Sequence, residues 1–199
     1  MIVVGLTGSI AMGKSTTAQM FRDLGIPVFD SDAEVHRLYE KGGNAVGQVA
    51  KRFPEAIRNG AVDRARLSQY VVGNPAAMAE LESIVHPLVR GAQAEFLERN
   101  ASESIVVLDI PLLFETGRQA DVDQIIVVSA PADVQRERAL ARPGMTLDKL
   151  AGILSRQMPD AEKRARADYV VDSSESIEHA AQQVKKIVAE LKEKDRTEP

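Results

Sequence analysis

The chain contains no cysteine. That excludes thiol catalysis, cysteine-ligated metal sites and disulfide cross-links, and it fits a reducing compartment. No stretch approaches the ~20 consecutive apolar residues that a membrane span requires. The opening apolar run carries no basic residues ahead of it and breaks at Gly5 and Gly8, so it is not expected to be a secretory leader. Internal repeats and low-complexity tracts are also missing. A formal charge of −4 argues against broad binding to nucleic acid, while clustered arginines later in the chain still suit a compact anion. At 199 residues the chain is one domain, or one core with a sizeable insertion, and should bury roughly 70% of its unfolded surface. The expected location is the cytoplasm.

What is present is concentrated near the start. Val3 to Leu6 reads as a buried strand, and Gly8, four further residues and Gly13-Lys14-Ser15 reproduce the spacing of a phosphate-binding loop. A chain of this length matches that spacing by accident about once in a hundred. Gly8 and Gly13 permit turns that a Cβ would obstruct, so the amides of Met12 to Thr16 can surround a β-phosphate at a helix N-terminus. Lys14 would reach the β- and γ-phosphates, and the Ser15 hydroxyl would ligate Mg²⁺. Thr16 to Leu24 reads as the following helix, with Gly25 as its stop.

A second short strand, Ile26 to Phe29, ends at Asp30-Ser31-Asp32. One aspartate is positioned to accept the proton of an attacking hydroxyl; equally, Asp30 or Asp32 starts the helix expected over Ala33 to Lys41. From Ala33 to Asn100 strand signals disappear and helical runs are punctuated by Gly and Pro, which points to a helical insertion with an N-cap candidate within Val62 to Leu67. His86 precedes Pro87, a pairing that biases His86 toward extended backbone and a kink. Its imidazole is either a structural partner or faces a cleft.

Ser104 to Asp109 is an apolar strand ending in an acid, a pattern resembling Walker B, in which Asp109 either holds Mg²⁺ through water or caps the next segment. Ile110 to Glu115 forms an apolar wall for a ligand or packs on the insertion. A fourth strand, Asp123 to Ser129, leads to a helix from Pro131 on which Arg138 and Arg142, four apart, share a face. With Arg156, Lys163, Arg164 and Arg166 these residues form either an arginine-bearing lid or a solvated surface. A last strand, Ala167 to Asp172, precedes an amphipathic helix, Ser176 to Lys194, whose apolar face is expected to include Ile177 and Ala180; the tail Lys192 to Pro199 is expected to fray.

Several segments together resemble the dephospho-coenzyme A kinase family: Thr7 to Thr16, Leu24 to Asp32, His86-Pro87-Leu88, Asp109 to Glu115, Arg156-Gln157-Met158 and Lys163 to Asp172, over residues 1 to about 190. The resemblance implies an α/β P-loop NTPase-type three-layer fold with a parallel sheet of about five strands. It implies a core (1–32, 101–136, 167–199), a helical substrate-binding insertion (33–100) and a lid (137–166). The implied reaction is ATP-dependent phosphorylation of the ribose 3′-hydroxyl of dephospho-CoA, with ATP and Mg²⁺ and no nucleic-acid, membrane or obligate protein partner. Asp32 would then be the general base, and Gly8, Ala11, Met12, Gly13, Lys14, Ser15, Thr16 and Arg142 would hold ATP. Arg138 would be a catalytic lid arginine, while His86, Pro111, Leu112, Leu113 and Glu115 would line the acceptor site. Many members carry Gly where this chain has Ala11, and Ser or Thr where it has Met12; a small effect is expected, because only backbone amides are asked to act there. The rivals are another small-molecule P-loop kinase and a nucleotide-dependent switch, the latter disfavoured because no N-K-x-D-type guanine-reading sequence comes after any strand.

Overall fold

Val- and Ile-rich segments make strands, and the central ones, with no polar alternation, bury both faces. In the computed structural model, which describes residues 1–197, these become β1 (Ile2–Thr7), β2 (Val28–Asp30), β5 (Ile105–Asp109), β6 (Gln124–Ser129) and β7 (Tyr169–Asp172), joined in a parallel sheet of order β2-β5-β1-β6-β7. A second, two-stranded sheet pairs β3 (Ile57–Arg58) with β4 (Ala61–Val62). The helices are α1 (Lys14–Asp23), α2 (Ser31–Tyr39), α3 (Val46–Arg52), α4 (Arg64–Val71), α5 (Pro75–Arg99), α6 (Ala132–Leu140), α7 (Leu147–Leu154), α8 (Asp160–Ala165) and α9 (Ile177–Thr197). The chain divides into two compact units, one of residues 1–29 with the chain from Asn100 onward, the other Asp30–Arg99.

In the first unit the register pairs Val4 with Val107 and Leu6 with Ile126, and Val128 pairs with Val171. Alternate residues of a strand share a face, so these six side chains form one apolar surface. Phe21 and Ala18 of α1 and Val184, Ile187 and Leu191 of α9 cover it. Helix α1 stops where expected: the Gly25 N–H bonds the Arg22 carbonyl and the Ile26 N–H bonds the Phe21 carbonyl, the paired closure of a Schellman motif. Helix α9 continues through residues expected to fray, as far as Thr197, while Glu198 and Pro199 lie outside the described residues.

The second unit holds α2 to α5 and differs from the sequence reading in two ways. Strand signals do not vanish: Asn59 (φ 50°) and Gly60 (φ 77°) form the tight turn of the β3–β4 hairpin, the positive-φ pair that Asn-Gly favours. His86-Pro87 produces no break either, because α5 runs through Pro87 to Arg99. Leu81, Val85, Val89 and Gln93 recur every fourth residue and are all buried. That continuous packed face outweighs one backbone hydrogen bond lost at Pro87 and the local preference of the residue before it.

Candidate active site

The phosphate loop lies between β1 and α1. A Cβ on Gly8 would stand 2.7 Å from the Val128 carbonyl oxygen of β6, so only glycine lets the loop pass this strand. Gly13 (φ 87°) is the N-cap of α1, and the left-handed turn there leaves the N–H groups of Lys14, Ser15 and Thr16 in the helix's first turn, where an anion is favoured. The Ser15 and Thr16 side chains are exposed at that end. Ala11 also holds left-handed backbone, φ 63°, at a cost of about 1 kcal/mol relative to glycine. Its methyl packs with Ala139 of α6 and Leu150 of α7, and burial of a methyl group contributes about 0.8 kcal/mol. The two effects nearly cancel.

Other segments hold the loop by its backbone. The Ile10 N–H donates to Gln157 Oε1 (3.1 Å), and the Ile10 carbonyl accepts from Gln135 Nε2 (2.9 Å). Met12 takes part through more than its amide. Its side chain is buried and its sulfur accepts the Ala130 N–H at 3.2 Å, while its carbonyl accepts from Ser173 Oγ at 2.8 Å.

Arg138 donates to Ser173 Oγ (2.9 Å) and to the Ser173 carbonyl (2.7 Å), which fixes its guanidinium beside Gly13. Arg142 does not share a helical face with it, since α6 ends at Leu140 and Arg142 sits in the turn before Pro143-Gly144. Both arginines nevertheless line one cavity of about 400 Å³ with Gly13, Thr16, Thr17 and Ile177. Ile177 is a correction to the helical pattern: it is 66% exposed rather than packed in the core. As the first residue of α9 it stands about one turn before Ala180, which is in the core, where periodicity cannot tell a core position from a cavity wall. Thr17, Met20 and Ser173 also line this cavity and were missed. The only sequence signal for them was their distance from Gly13 along α1 or their place after a strand end.

At the end of β5, Asp109 is 3% exposed and forms an ion pair with Lys14 Nζ. It caps no helix, since β5 runs into a turn. In that turn Leu112 is 40% exposed, whereas Leu113 is fully buried against β1, with Cδ2 3.4 Å from where a Gly5 Cβ would stand. Leu113 therefore supports the turn from beneath and does not present its side chain at the surface. Thr7 Oγ1 donates to the Pro111 carbonyl at 3.2 Å, tying the turn to the end of β1.

Glu115 Oε1 accepts the Met158 N–H at 2.8 Å and lies 2.8 Å from Lys163 Nζ. Lys163, expected on a lid or a solvated surface, is fully buried. Burial pushes the Glu115 carboxyl up, but the Lys163 ammonium and two backbone N–H groups together hold it below the usual carboxylate range. The stability this contributes is complete above the unfolded value near 4.3 and is lost as pH falls through the lower native value. Glu115→Gln is expected to cost about 1.5–3 kcal/mol at neutral pH, by leaving a buried ammonium against a neutral amide. It should also flatten the acid side of the stability profile. Chemical denaturation between pH 3 and 7 checks both effects, and an unchanged acid limb would mean that Glu115 does not set it.

The second unit carries the two aspartates. Asp30 Oδ1 accepts the Ala33 N–H at 2.9 Å and is the N-cap of α2, which settles which acid starts the helix. Asp32 lies in the first turn of α2, is exposed, and makes no hydrogen bond or ion pair among the described residues. His86 is exposed on α5.

The dephospho-CoA kinase (CoaE) family profile matches residues 2–179. A dephospho-CoA kinase from Mesorhizobium japonicum is 55% identical over 194 residues, covering 96% of this chain and 98% of its own. A crystal structure of TT1252 from Thermus thermophilus superposes with a TM-score of 0.84 at 37% identity, covering 96% of this chain and 97% of that one. The dephospho-CoA kinase from Campylobacter jejuni shares the fold, with a TM-score of 0.67 at 23% identity over 95% of this chain and 96% of its own. With a phosphate loop, an arginine-lined cavity, a family profile that matches residues 2–179 and 55% identity to a relative over 96% of its length, the chain belongs to the dephospho-CoA kinase family, whose members are ATP-dependent kinases.

Proposed function

We propose that the chain transfers the γ-phosphoryl group of ATP to the ribose 3′-hydroxyl of dephospho-CoA, giving coenzyme A and ADP, and that it does so in the cytoplasm. The observation that carries the nucleotide half is the cavity joining the first turn of α1 to Arg138, Arg142 and Ile177. Its lining offers the first turn of a helix and two guanidiniums to phosphates, and with Met20, Ile177 and Ala180 it has apolar surface for a purine.

In this reading Lys14 leaves Asp109 for the β- and γ-phosphates, and Arg138, fixed by Ser173, meets charge on the transferring group. Arg142 lines the same cavity and belongs to the segment 137–166, which would close as a lid. The residues also fit Mg²⁺. The Ser15 hydroxyl is exposed in the first turn of α1, and Asp109 ends β5 where a water-mediated ligand would stand. Such sparse protein ligation suits an ion held mainly by the nucleotide, and when bound it would neutralise charge on the phosphates. Asp32 would take the 3′-hydroxyl proton. Pro111 and Leu112 would contact the acceptor, with Glu115 and Leu113 holding the Pro111–Leu112 turn in place, and His86 would be a further substrate-binding residue.

A coupled ADP-release assay with Mg-ATP tests the reading, comparing dephospho-CoA with adenosine, AMP, gluconate and shikimate and checking the product mass. Turnover that depends on dephospho-CoA, with a product heavier by one phosphoryl group, is the expected result. Turnover with another acceptor alone would refute the substrate.

A further inference from the structure

The D-x-D segment accounts for Asp30 and Asp32 but leaves the next turn of α2 unexplained. His36 stands four residues after Asp32, so the two share a face of the helix with Cβ atoms about 5–6 Å apart. Arg64, the first residue of α4, places Nη1 against the His36 ring, with Nε2 as the nearer nitrogen and Nδ1 at 3.3 Å. A guanidinium only donates, so the contact uses a His36 ring nitrogen as its acceptor.

This contact leaves the charge of Arg64 uncompensated. The acids beside it are engaged elsewhere: Asp63 caps α4 through the Ala65 and Arg66 N–H groups and pairs with Arg66, and Glu34 forms a two-point ion pair with Arg37. Among the described residues Arg64 has no carboxylate partner, and its Nε–Nη2 edge makes no hydrogen bond. That edge is the two-donor fork that matches two oxygens of a phosphate. A single ring-nitrogen acceptor on Nη1 holds the fork without occupying it.

The geometry points to Arg64, oriented by His36, as the receptor for the 5′-diphosphate of the acceptor nucleotide. This rests on the reading of dephospho-CoA as acceptor and on Asp32 as the base. In that substrate the reacting 3′-hydroxyl and the 5′-diphosphate lie on opposite sides of one ribose ring, a span comparable with one helical turn of ~5.4 Å. Asp32 and the Arg64–His36 pair are set one turn apart along α2. Arg64 is a specificity-determining residue, because an acceptor lacking the diphosphate forfeits its contact. His36 is a positioning residue that acts through Arg64.

Steady-state kinetics with varied dephospho-CoA at saturating Mg-ATP, and the reverse, test this in the full-length enzyme. Arg64→Ala should raise KM for dephospho-CoA by about 30- to 100-fold, the size of a lost hydrogen-bonded charge pair, with KM for ATP unchanged. Arg64→Lys should recover part of the loss. His36→Ala should raise the same KM by roughly 3- to 10-fold, in keeping with loss of orientation and retention of the charge, and His36→Gln, which keeps an acceptor, should restore it. A KM for dephospho-CoA within about 3-fold of wild type in Arg64→Ala would overturn the assignment. So would a parallel rise in both KM values, which marks a general structural defect. If the wild-type enzyme itself ignored dephospho-CoA, the acceptor reading would fall first; wild-type turnover with an indifferent Arg64→Ala variant sinks this inference alone.

Discussion

Lys14→Met is expected to lower kcat/KM by on the order of 10³-fold, because it removes the one ammonium on the first turn of α1 that can track charge onto the transferring phosphoryl group. The same substitution has a second effect that an activity assay cannot distinguish by itself. Lys14 is the ion-pair partner of Asp109, a carboxylate only 3% exposed, and removing one member of a buried pair costs about 3–5 kcal/mol. Part of any loss of activity would therefore be loss of folded protein. The double variant Lys14→Met, Asp109→Asn separates the effects. It no longer sets a buried charge against the missing ammonium, so it should unfold nearer the wild-type denaturant midpoint than Lys14→Met does, and still turn over at or below the level of that variant. Recovery of activity together with stability would mean that Lys14 serves the fold and not the chemistry.

The central sheet and the phosphate loop were legible because short-range rules govern them. The glycine spacing of the loop is dictated by contacts as close as that of Gly8 with the Val128 carbonyl, and the buried strands advertise themselves as Val and Ile runs. The misses share another cause. Lys163 looks like one more cation in a charged run, and nothing within that run shows that Glu115, 48 positions earlier, meets it inside the protein. Pro87 looks like a helix breaker until the four buried positions of α5 are seen to continue across it. Ile177 matches the core periodicity of α9 and lies outside the core because its helix begins one turn too early to reach the sheet. Local preference and pattern decide where long-range packing is silent; each of these residues is decided by a partner far away in sequence.

That lesson bears most directly on Asp30 and Asp32, which spacing could not tell apart. Asp32→Asn is expected to reduce kcat by on the order of 10²- to 10³-fold, the usual contribution of a positioned general base, with KM for ATP nearly unchanged. The amide is isosteric with the carboxylate and cannot accept the hydroxyl proton, and Asp32 makes no contact among the described residues whose loss would disturb α2. Asp30→Asn supplies the contrast. Asn caps helices as well as Asp does, so the Ala33 N–H keeps its acceptor and α2 its start, and turnover should stay close to wild type. Rapid-quench measurement of a single turnover keeps the comparison on the chemical step, clear of product release. A fast first turnover in Asp32→Asn would remove Asp32 from the role of base. A slow one in both variants would mean that catalysis depends on the placement of the whole first turn of α2, with neither carboxylate acting alone.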